Sequence, residues 1–512
     1  MIHIPASKFA QTMSITAESS QAAPYVSPDT VRDRFSSALS AMYRQEVPLY
    51  GHLIDLVAEV NHSVLSSNMT LAASCNDNDL HRLTVERHGA IRVGTPQEFR
   101  LLAKIFSLLG MSPVGFYDLS DCGLPIRATA FRPTTDAALR RNPFRVFTSL
   151  LQLDLVPDDE SRRLASRILS KRRIASPALE ALVDRVLTQQ SGGMTERDVD
   201  QFIPAAIDVF RWHSDTTVSK ADYDQLRRVH PLVADIVCFR GPHINHLTPR
   251  SLDIDAVQHG MAARGIDAKE IIEGPPRRQW PILLRQTSFK ALSEPVYFLE
   301  SRDGVKTTGG RVFGHHTARF GEIESRGAAV TPKGLRWYQE RLAAFNESEE
   351  RQILDKKRSC KETYQDRLRN FFKDYPDTAE ELRAQGLAYF RFSVACMPSS
   401  EELTGAAKVE SLLRRGAIKY EPITYEDFLP TSAAGIFSSN LHLGDDAPAR
   451  SGSSETTAAP PAENQRRFER DVGIEIQDTF EIYEAMEQRT VVAIASLLSV
   501  TSHEASSVLV SR

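Results

Sequence analysis

The hydrophobic pattern of the first 154 residues predicts helices first and then a strand-rich module. Apolar residues recur at helical spacing over residues 29–80, which predicts N-terminal helices. Over residues 81–154 a period-two alternation begins at Leu83, and a helix signalled by Thr95 and Glu98, a capping box, interrupts it. Three further strand patterns follow this helix, so residues 81–154 predict a first βαβββ module.

The same order of strands and helix returns in the second half of the chain. Strand patterns at Asp235, Trp280, Pro295 and Arg319 surround one helical pattern, which predicts a second copy of the module although the two copies share little sequence. The expected fold class is therefore α+β with additional helical regions. The remaining divisions are a helical insert at 155–230, the second module at 231–330, a helical and closing segment at 331–442, and a C-terminal helix at 466–512.

Two segments have the composition of chain without a packed core. Residues 1–28 are rich in Ser and Ala, and residues 443–465 are rich in Pro, Ser and Ala. We expect a disordered N-terminal arm and a flexible low-complexity insertion.

Composition narrows the class of function. The chain has 512 residues, 41% hydrophobic and 25% charged, and a net charge of -4. This balance supplies no basic field for nucleic acid or an anionic membrane. No apolar run approaches the roughly 18 residues of a membrane span, and the N-terminus lacks a secretory pattern, so we expect a cytoplasmic protein. The five cysteines form no CxxC pair, which argues against a disulfide framework or a zinc knuckle.

The strand RHGAIR carries the first candidate site. His88, Ala90 and Arg92 share one face, because side chains two apart along a strand point the same way. Four residues of strand span about 13 Å. A metal on His88 and a carboxylate held by Arg92 then suit the two ends of a small diacid. The alternative is a core histidine beside an ordinary salt-bridge arginine.

The segment PHINHLTPR offers two further histidines. Pro242 and Pro249 disfavour a helix that would bring His243 and His246 together, so one metal ligand is expected here. His246 is the better candidate, because a neutral imidazole within the apolar INHLT run needs a partner or a metal. The alternative for His243 is a loop histidine near the strand start.

The segment RFGEIESRG supplies carboxylates. Glu322 and Glu324 lie on one face of the predicted strand, where they need a cation or an arginine if they point inward. The alternative is an exposed edge strand. His315 and His316 precede the strand and are interpreted as surface or supporting residues. Two histidines and one carboxylate with open positions suit non-haem Fe(II).

Five segments of the chain together resemble one enzyme family. They are RHGAIRVGTPQEFRLLAKIFSLLGM, GLPIRATAFRP, GPHINHLTPRSLDIDAVQ, RFGEIESRGAAVTPKG and YEDFLPTSAAGIF. In these segments the sequence is similar to the 2-oxoadipate dioxygenase/decarboxylases, also called 2-hydroxyglutarate synthases, a divergent branch of the vicinal oxygen chelate fold. The resemblance extends from about residue 45 to 440.

The resemblance implies a fold and a ligand set. The two modules would form a curved mixed sheet around an Fe(2+) site held by His88, His246 and Glu322. Glu322 is preferred to Glu324 because related oxygenases of this fold place the ligand in a Glu-x-x-x-Arg pattern, matched here by Glu322 and Arg326.

The resemblance also implies how substrate is held. Arg92 would bind a substrate carboxylate, and Thr431 and Ser432 in PTSAAG would contact the oxo acid. Bacterial relatives more often carry Val before this Ser, and Thr preserves the shape of Val while adding a hydroxyl.

The implied reaction converts 2-oxoadipate and O2 to 2-hydroxyglutarate and CO2, a step of lysine catabolism. Its partners are therefore a small-molecule 2-oxo acid and dioxygen. Two other interpretations stay open at this point: a metal-dependent isomerase or lyase of the same fold using Mn or Zn, and a non-catalytic ligand-binding protein.

Overall fold

A mixed five-stranded sheet forms the centre of the first of two structural units. In the computed structural model its strands follow the order β2-β3-β4-β1-β6, and β1 is parallel to β4 while the other neighbours are antiparallel. The strands are β1 (Arg87–Val93), β2 (Ser112–Asp118), β3 (Ile126–Arg132), β4 (Arg145–Leu151) and β6 (His246–Pro249). The predicted α+β class with a mixed sheet and additional helices is confirmed.

The first unit comprises Met1–Lys269, Ser288–Ile323 and Pro430–Gln477. A second sheet in this unit has the order β5-β8-β9. Its strands are β5 (Asp215–Ser219), β8 (Ser293–Leu299) and β9 (Arg311–Thr317). The helices are Pro28–Glu46, Pro48–Ser67, Asp77–Val85, Pro96–Leu108, Asp136–Arg141, Asp159–Leu169, Pro177–Thr188, Glu196–Val209, Lys220–Val229, Pro231–Val237, Ile254–Ala263 and Pro461–Val472.

The second unit comprises Glu270–Thr287, Glu324–Leu429 and Asp478–Arg512. An antiparallel pair, β11 (Phe390–Val394) and β12 (Ile418–Pro422), lies within it. Two further strands, β7 (Leu284–Ser288) and β10 (Glu322–Arg326), pair with each other. The helices of this unit are Pro332–Leu354, Tyr364–Phe371, Ala379–Ala384, Gly405–Arg414, Thr479–Leu498 and Ser502–Leu509.

The structure describes residues 25–68, 77–85, 87–189, 193–300, 311–354, 363–396, 404–429 and 461–510. Most of the predicted N-terminal arm and of the predicted 443–465 insertion lie outside these residues. So do the predicted substrate contacts Thr431 and Ser432. Among the helices that the described ranges contain, none is long and apolar enough to cross a membrane.

The strand predicted from Asp235 is wrong at its start, because Asp235 lies in the helix Pro231–Val237. The Nδ1 atom of His230 accepts a hydrogen bond from the Leu232 N–H at 3.0 Å and caps this helix, and Pro231 occupies its first turn. Such a cap outweighs the strand preference of the apolar run PLVADIV. The predicted strand from Leu83 likewise begins later, at Arg87, because residues up to Val85 are helical.

The order of the second module and the C-terminus also differ in detail from the sequence pattern. Four strands, β7 to β10, follow the helix Ile254–Ala263, one more than predicted. The last segment contains three helices, since Gly473 and Ser499 adopt left-handed φ values of 67° and 56° between them. A right-handed helix cannot continue through such a residue.

The helix Pro28–Glu46 packs through a buried apolar stripe that includes Val31, Phe35 and Leu39. Arg32 on this helix is also fully buried. Its guanidinium satisfies three backbone carbonyls, those of Leu109, Ala138 and Asn142, at 2.8 to 2.9 Å.

Candidate metal centre

Strand pairing brings His88 and His246 together. In the antiparallel β1–β6 pair Ala90 faces His246 and His88 faces Thr248, so the two imidazoles are diagonal neighbours on one face. Their ring centroids are 5.5 Å apart and the rings are perpendicular. Gly89, which follows His88 on β1, leaves room for the Ile244 side chain on the other face of the strand, because a Cβ there would lie 2.6 Å from it.

Glu322, the first residue of β10, lies beside the two histidines. We call His88, His246 and Glu322 the metal group. Its Oε1 lies 3.0 Å from His88 Nε2 and 3.8 Å from His246 Nε2. Thr248 Oγ1 donates a hydrogen bond to the same oxygen at 3.1 Å. Gly321 comes directly before Glu322. A Cβ at Gly321 would lie 2.3 Å from the Phe289 ring, so the close approach of the chain to this ring requires glycine.

The chemistry of this donor set fits a transition metal. His88, His246 and Glu322 are fully buried, and one ligand atom from each lies within 4.8 Å of the others. Two imidazoles and a carboxylate form the set suited to non-haem Fe(II). Within the described ranges, no other three His, Cys, Asp or Glu residues are arranged in this way.

The neighbouring carboxylate has a different environment. Glu324 forms a forked ion pair with Arg326, with both N–O distances at 2.8 Å. Arg326 also donates to the carbonyls of Tyr425 and Asp427. The alternative of an exposed edge strand is wrong, because Glu322 and Glu324 are both completely buried. Of the two, Glu322 lies with the histidines.

Arg92, four residues after His88 on β1, is 7% exposed and donates from Nη1 to Asp235 Oδ2 at 2.8 Å. The other oxygen, Oδ1, accepts from His316 Nε2 at 2.9 Å and lies 3.2 Å from His243 Nε2. Burial alone would raise the pKa of Asp235, but the neighbouring His243, His316 and Arg92 hold this pKa well below its ordinary value. Asp235 is therefore a buried carboxylate anion.

The structure also shows the surroundings of the other three candidate histidines, His243, His315 and His316. His243 is buried, and burial lowers its pKa although Asp235 opposes the shift. It lies in the loop three residues before β6, so the interpretation as a loop histidine near the strand start is confirmed, and it contacts Asp235. His316 supports the same carboxylate, whereas His315 is exposed.

Sequence reasoning missed Asp235 and the residues of β4. An ionisable residue inside the apolar run PLVADIV was the available signal for Asp235. The parallel register pairs Arg145 with His88 and Ser149 with Arg92, so both β4 residues lie on the face that carries the metal group. Alternation along FRVFTS placed Arg145 and Ser149 on one face, but their pairing with β1 is a long-range property.

Known proteins are closely similar to this chain. The family model for 2-oxoadipate dioxygenase/decarboxylase matches residues 35–440. The 2-oxoadipate dioxygenase/decarboxylase of Pseudomonas putida is 45% identical over 482 residues, covering 93% of this chain and 99% of the relative. The Escherichia coli K12 protein of the same name is 46% identical over 470 residues, covering 91% of this chain and 98% of that protein.

A solved structure agrees with these matches. The hydroxyglutarate synthase from Pseudomonas putida in complex with 2-oxoadipate superimposes with a TM-score of 0.78 at 42% identity. The match covers 93% of this chain and 100% of that chain. Both the family and the fold are thus matched over most of the sequence. The chain belongs to the 2-oxoadipate dioxygenase/decarboxylase family.

Proposed function

We propose that this protein is an Fe(II)-dependent dioxygenase that converts 2-oxoadipate and O2 to 2-hydroxyglutarate and CO2. The observation that carries the proposal is the convergence of His88, His246 and Glu322 within 4.8 Å in the buried interior. Family membership supports the substrate, since a relative covering 93% of this chain was solved with 2-oxoadipate bound.

His88, His246 and Glu322 would hold the iron. Ferrous iron held by such a set would supply dioxygen chemistry on a 2-oxo acid. Glu322 contributes the negative charge, and Thr248 fixes the carboxylate by donating to Oε1 at 3.1 Å. Complete burial of all three ligands keeps bulk water from competing for them.

Arg92 is proposed to bind the distal carboxylate of the substrate. It follows His88 by four residues on β1, a separation of about 13 Å along the backbone. The Arg92 side chain is long enough to bring its guanidinium closer to His88 than the two backbones are. A guanidinium binds a carboxylate through two parallel hydrogen bonds, which fixes both position and orientation. Thr431 and Ser432 remain proposed contacts of the oxo acid end.

The proposed reaction balances without another reductant. The C1–C2 bond of 2-oxoadipate breaks and C1 leaves as CO2. One oxygen atom of O2 enters the new carboxylate at C2, and the other enters the hydroxyl group at C3. All four electrons that reduce O2 come from the substrate. The role of Arg92 is to hold the chain so that C3 stays near the metal group.

Anaerobic reconstitution with Fe(II) tests the proposal. After 2-oxoadipate and oxygen are added, O2 uptake and CO2 release should be equal, with 2-hydroxyglutarate as product. 2-Oxoglutarate and 4-hydroxyphenylpyruvate serve as comparison substrates and should react more slowly than 2-oxoadipate. If metal is bound and no 2-oxo acid consumes oxygen, the proposal is wrong.

Two carboxylate variants test the ligand assignment. Glu322→Gln should abolish turnover and iron binding, because the neutral amide replaces the anionic ligand. Glu324→Gln is the matched control two residues away, whose partner is Arg326. It should keep iron binding, while its unfolding free energy falls by about 3 kcal/mol from the broken buried ion pair. Retained activity in Glu322→Gln or His246→Ala would contradict the assignment.

A further inference from the structure

The Asp235 carboxylate lies between Arg92 and two histidines, and none of these contacts is a bond to the metal group. One oxygen accepts from the Arg92 guanidinium at 2.8 Å. The other contacts His316 Nε2 and His243 Nε2 at 2.9 and 3.2 Å. The carboxylate is 6% exposed. A buried carboxylate with a partner at each oxygen has a defined orientation.

The orientation of His316 is fixed in turn. An ionised carboxylate only accepts hydrogen bonds, so His316 Nε2 carries the hydrogen that points at Asp235. The Nδ1 atom of His316 faces the Tyr223 hydroxyl at 2.9 Å, and burial raises the pKa of Tyr223, which keeps that hydroxyl protonated. Trp212 lies edge-on to the His243 ring at 4.7 Å and stacks with His316 at 6.0 Å.

This arrangement leads directly to Arg92. An arginine side chain has many rotamers, and a bond from a fixed carboxylate selects among them. A guanidinium has five N–H donors, so its bond to Asp235 is compatible with a forked pair of bonds to a second carboxylate. The anion also compensates the buried positive charge before substrate arrives.

We propose that Asp235 is a positioning residue that holds Arg92 in the orientation needed to receive the distal carboxylate of a 2-oxo diacid. The inference rests on the proposed function. Asp235 then contributes to selection of a diacid over a monoacid of equal length without touching either. His243, His316 and Tyr223 act through it.

The test compares two ligands by anaerobic titration calorimetry on the Fe(II)-loaded protein. 2-Oxoadipate has the distal carboxylate, and 2-oxohexanoate has the same carbon chain without it. Asp235→Asn should weaken 2-oxoadipate binding about tenfold, a loss typical of directly coupled pairs, and leave 2-oxohexanoate binding unchanged. In an Arg92→Ala background the same change should add nothing, because the residue being positioned is gone.

A matched control comes from another ion pair in the same unit. Asp118 Oδ2 lies 3.1 Å from Arg127 Nε, and the side chains are 14% and 5% exposed. Asp118→Asn removes a comparable charge and should leave the preference for the diacid unchanged. A loss of preference in this variant would show that any weakened ion pair produces the effect, and the inference would be wrong.

The other outcomes are distinct. Unchanged or tighter 2-oxoadipate binding in Asp235→Asn would overturn the inference, since Asp235 would then be idle or a competitor for Arg92. Equal loss of both ligands would overturn it as well, because positioning of Arg92 affects the diacid alone. If Asp235→Asn does not fold, His316→Phe replaces it and should reduce the same preference by a smaller factor; an unchanged preference would overturn the inference. Failure of the unmodified protein to bind 2-oxoadipate would instead refute the proposed function.

Discussion

Replacement of Thr248 by valine gives a sharp test of how the ligand carboxylate is held. Thr248 is fully buried, pairs with His88 across the β1–β6 ladder, and donates to Glu322 Oε1 at 3.1 Å. Valine has nearly the same shape, so Thr248→Val removes one hydrogen bond and leaves the packing largely intact. We expect this variant to bind metal more weakly and to fold normally.

The size of the effect follows from the kind of hydrogen bond. A bond from a neutral donor to a charged group contributes about 1.5–3 kcal/mol. With 1.4 kcal/mol for each factor of ten, metal affinity should fall by roughly 10-fold to 100-fold. The same range is typical when a residue that orients a metal ligand is removed.

Metal affinity is best measured by competition with a chelator under anaerobic conditions, using Fe(II) and then Mn(II). Thr129→Val is the matched control. Thr129 is also fully buried in the same sheet, but its hydroxyl donates to the carbonyl of Gly115 at 2.7 Å. This control should lose stability comparable to the Thr248 variant and keep its metal affinity.

Two results would refute the reasoning. Wild-type metal affinity in Thr248→Val would mean that the bond to Glu322 does not orient a ligand. An equal loss of affinity in Thr129→Val would mean that any lost hydroxyl in the sheet disturbs the site.

Three further predictions concern stability and metal removal. Arg32→Lys should lower the unfolding free energy in urea by about 3 kcal/mol, because one ammonium nitrogen cannot reach three carbonyls that bind the separate Nε, Nη1 and Nη2 atoms of the guanidinium. Arg34→Lys on the same helix, 42% exposed, should cost under about 1 kcal/mol. Equal losses would contradict this reasoning. Burial and the charge of Arg92 lower the pKa of His230 from 6.5 to about 4. The unfolded chain therefore takes up the proton first, so stability from this group falls as the pH drops from 6.5 towards 4, by about 2 kcal/mol between pH 7 and 5. His230→Asn keeps a capping acceptor and should reduce the loss of unfolding free energy between pH 7 and 5, as measured by urea unfolding at both pH values. The control His259→Asn, at an exposed position, should leave that loss unchanged. An unchanged loss in His230→Asn would mean that His230 is not the titrating group. Finally, Fe(II) at about 100 times its Kd should stabilise the wild type by about 2.7 kcal/mol in thermal unfolding. The chelator EDTA should remove that gain, and His88→Ala should show no gain. A gain in His88→Ala would argue against His88 as a metal ligand.

Local sequence signals predicted some elements well. The helix Pro96–Leu108 has the predicted capping box at Thr95 and Glu98, and Gly110 adopts a left-handed φ of 68° just beyond it. These features depend on neighbours within one turn, so sequence alone defines them. The shared face of His88 and Arg92 on β1 was predictable for the same reason.

Contacts between distant segments were not predictable in this way. Asp235 belongs to the helix PLVADIV, whose β-branched residues favoured the prediction of a strand. Its partners His243 and His316 are far from Arg92 in sequence. The distinction between Glu322 and Glu324 depends equally on long-range partners, since one carboxylate meets two histidines and the other meets Arg326. Alternation identified a strand with two acids, and tertiary packing decided their environments.

The helix Pro28–Glu46 also contacts the backbone beside the metal group through Tyr43. Its hydroxyl lies 2.9 Å from the Asn245 carbonyl and 2.7 Å from the Phe320 carbonyl. Asn245 directly precedes His246, and Phe320 lies two residues before Glu322. One phenol thus bridges the backbone segments that supply two of the three ligands. The spacing of those ligands therefore depends on the position of this helix as well as on the ligands themselves. A small shift of the helix would change the geometry of the site while His88, His246 and Glu322 stay the same. Substitutions in the helix are thus a means of changing the properties of the site without altering its ligands.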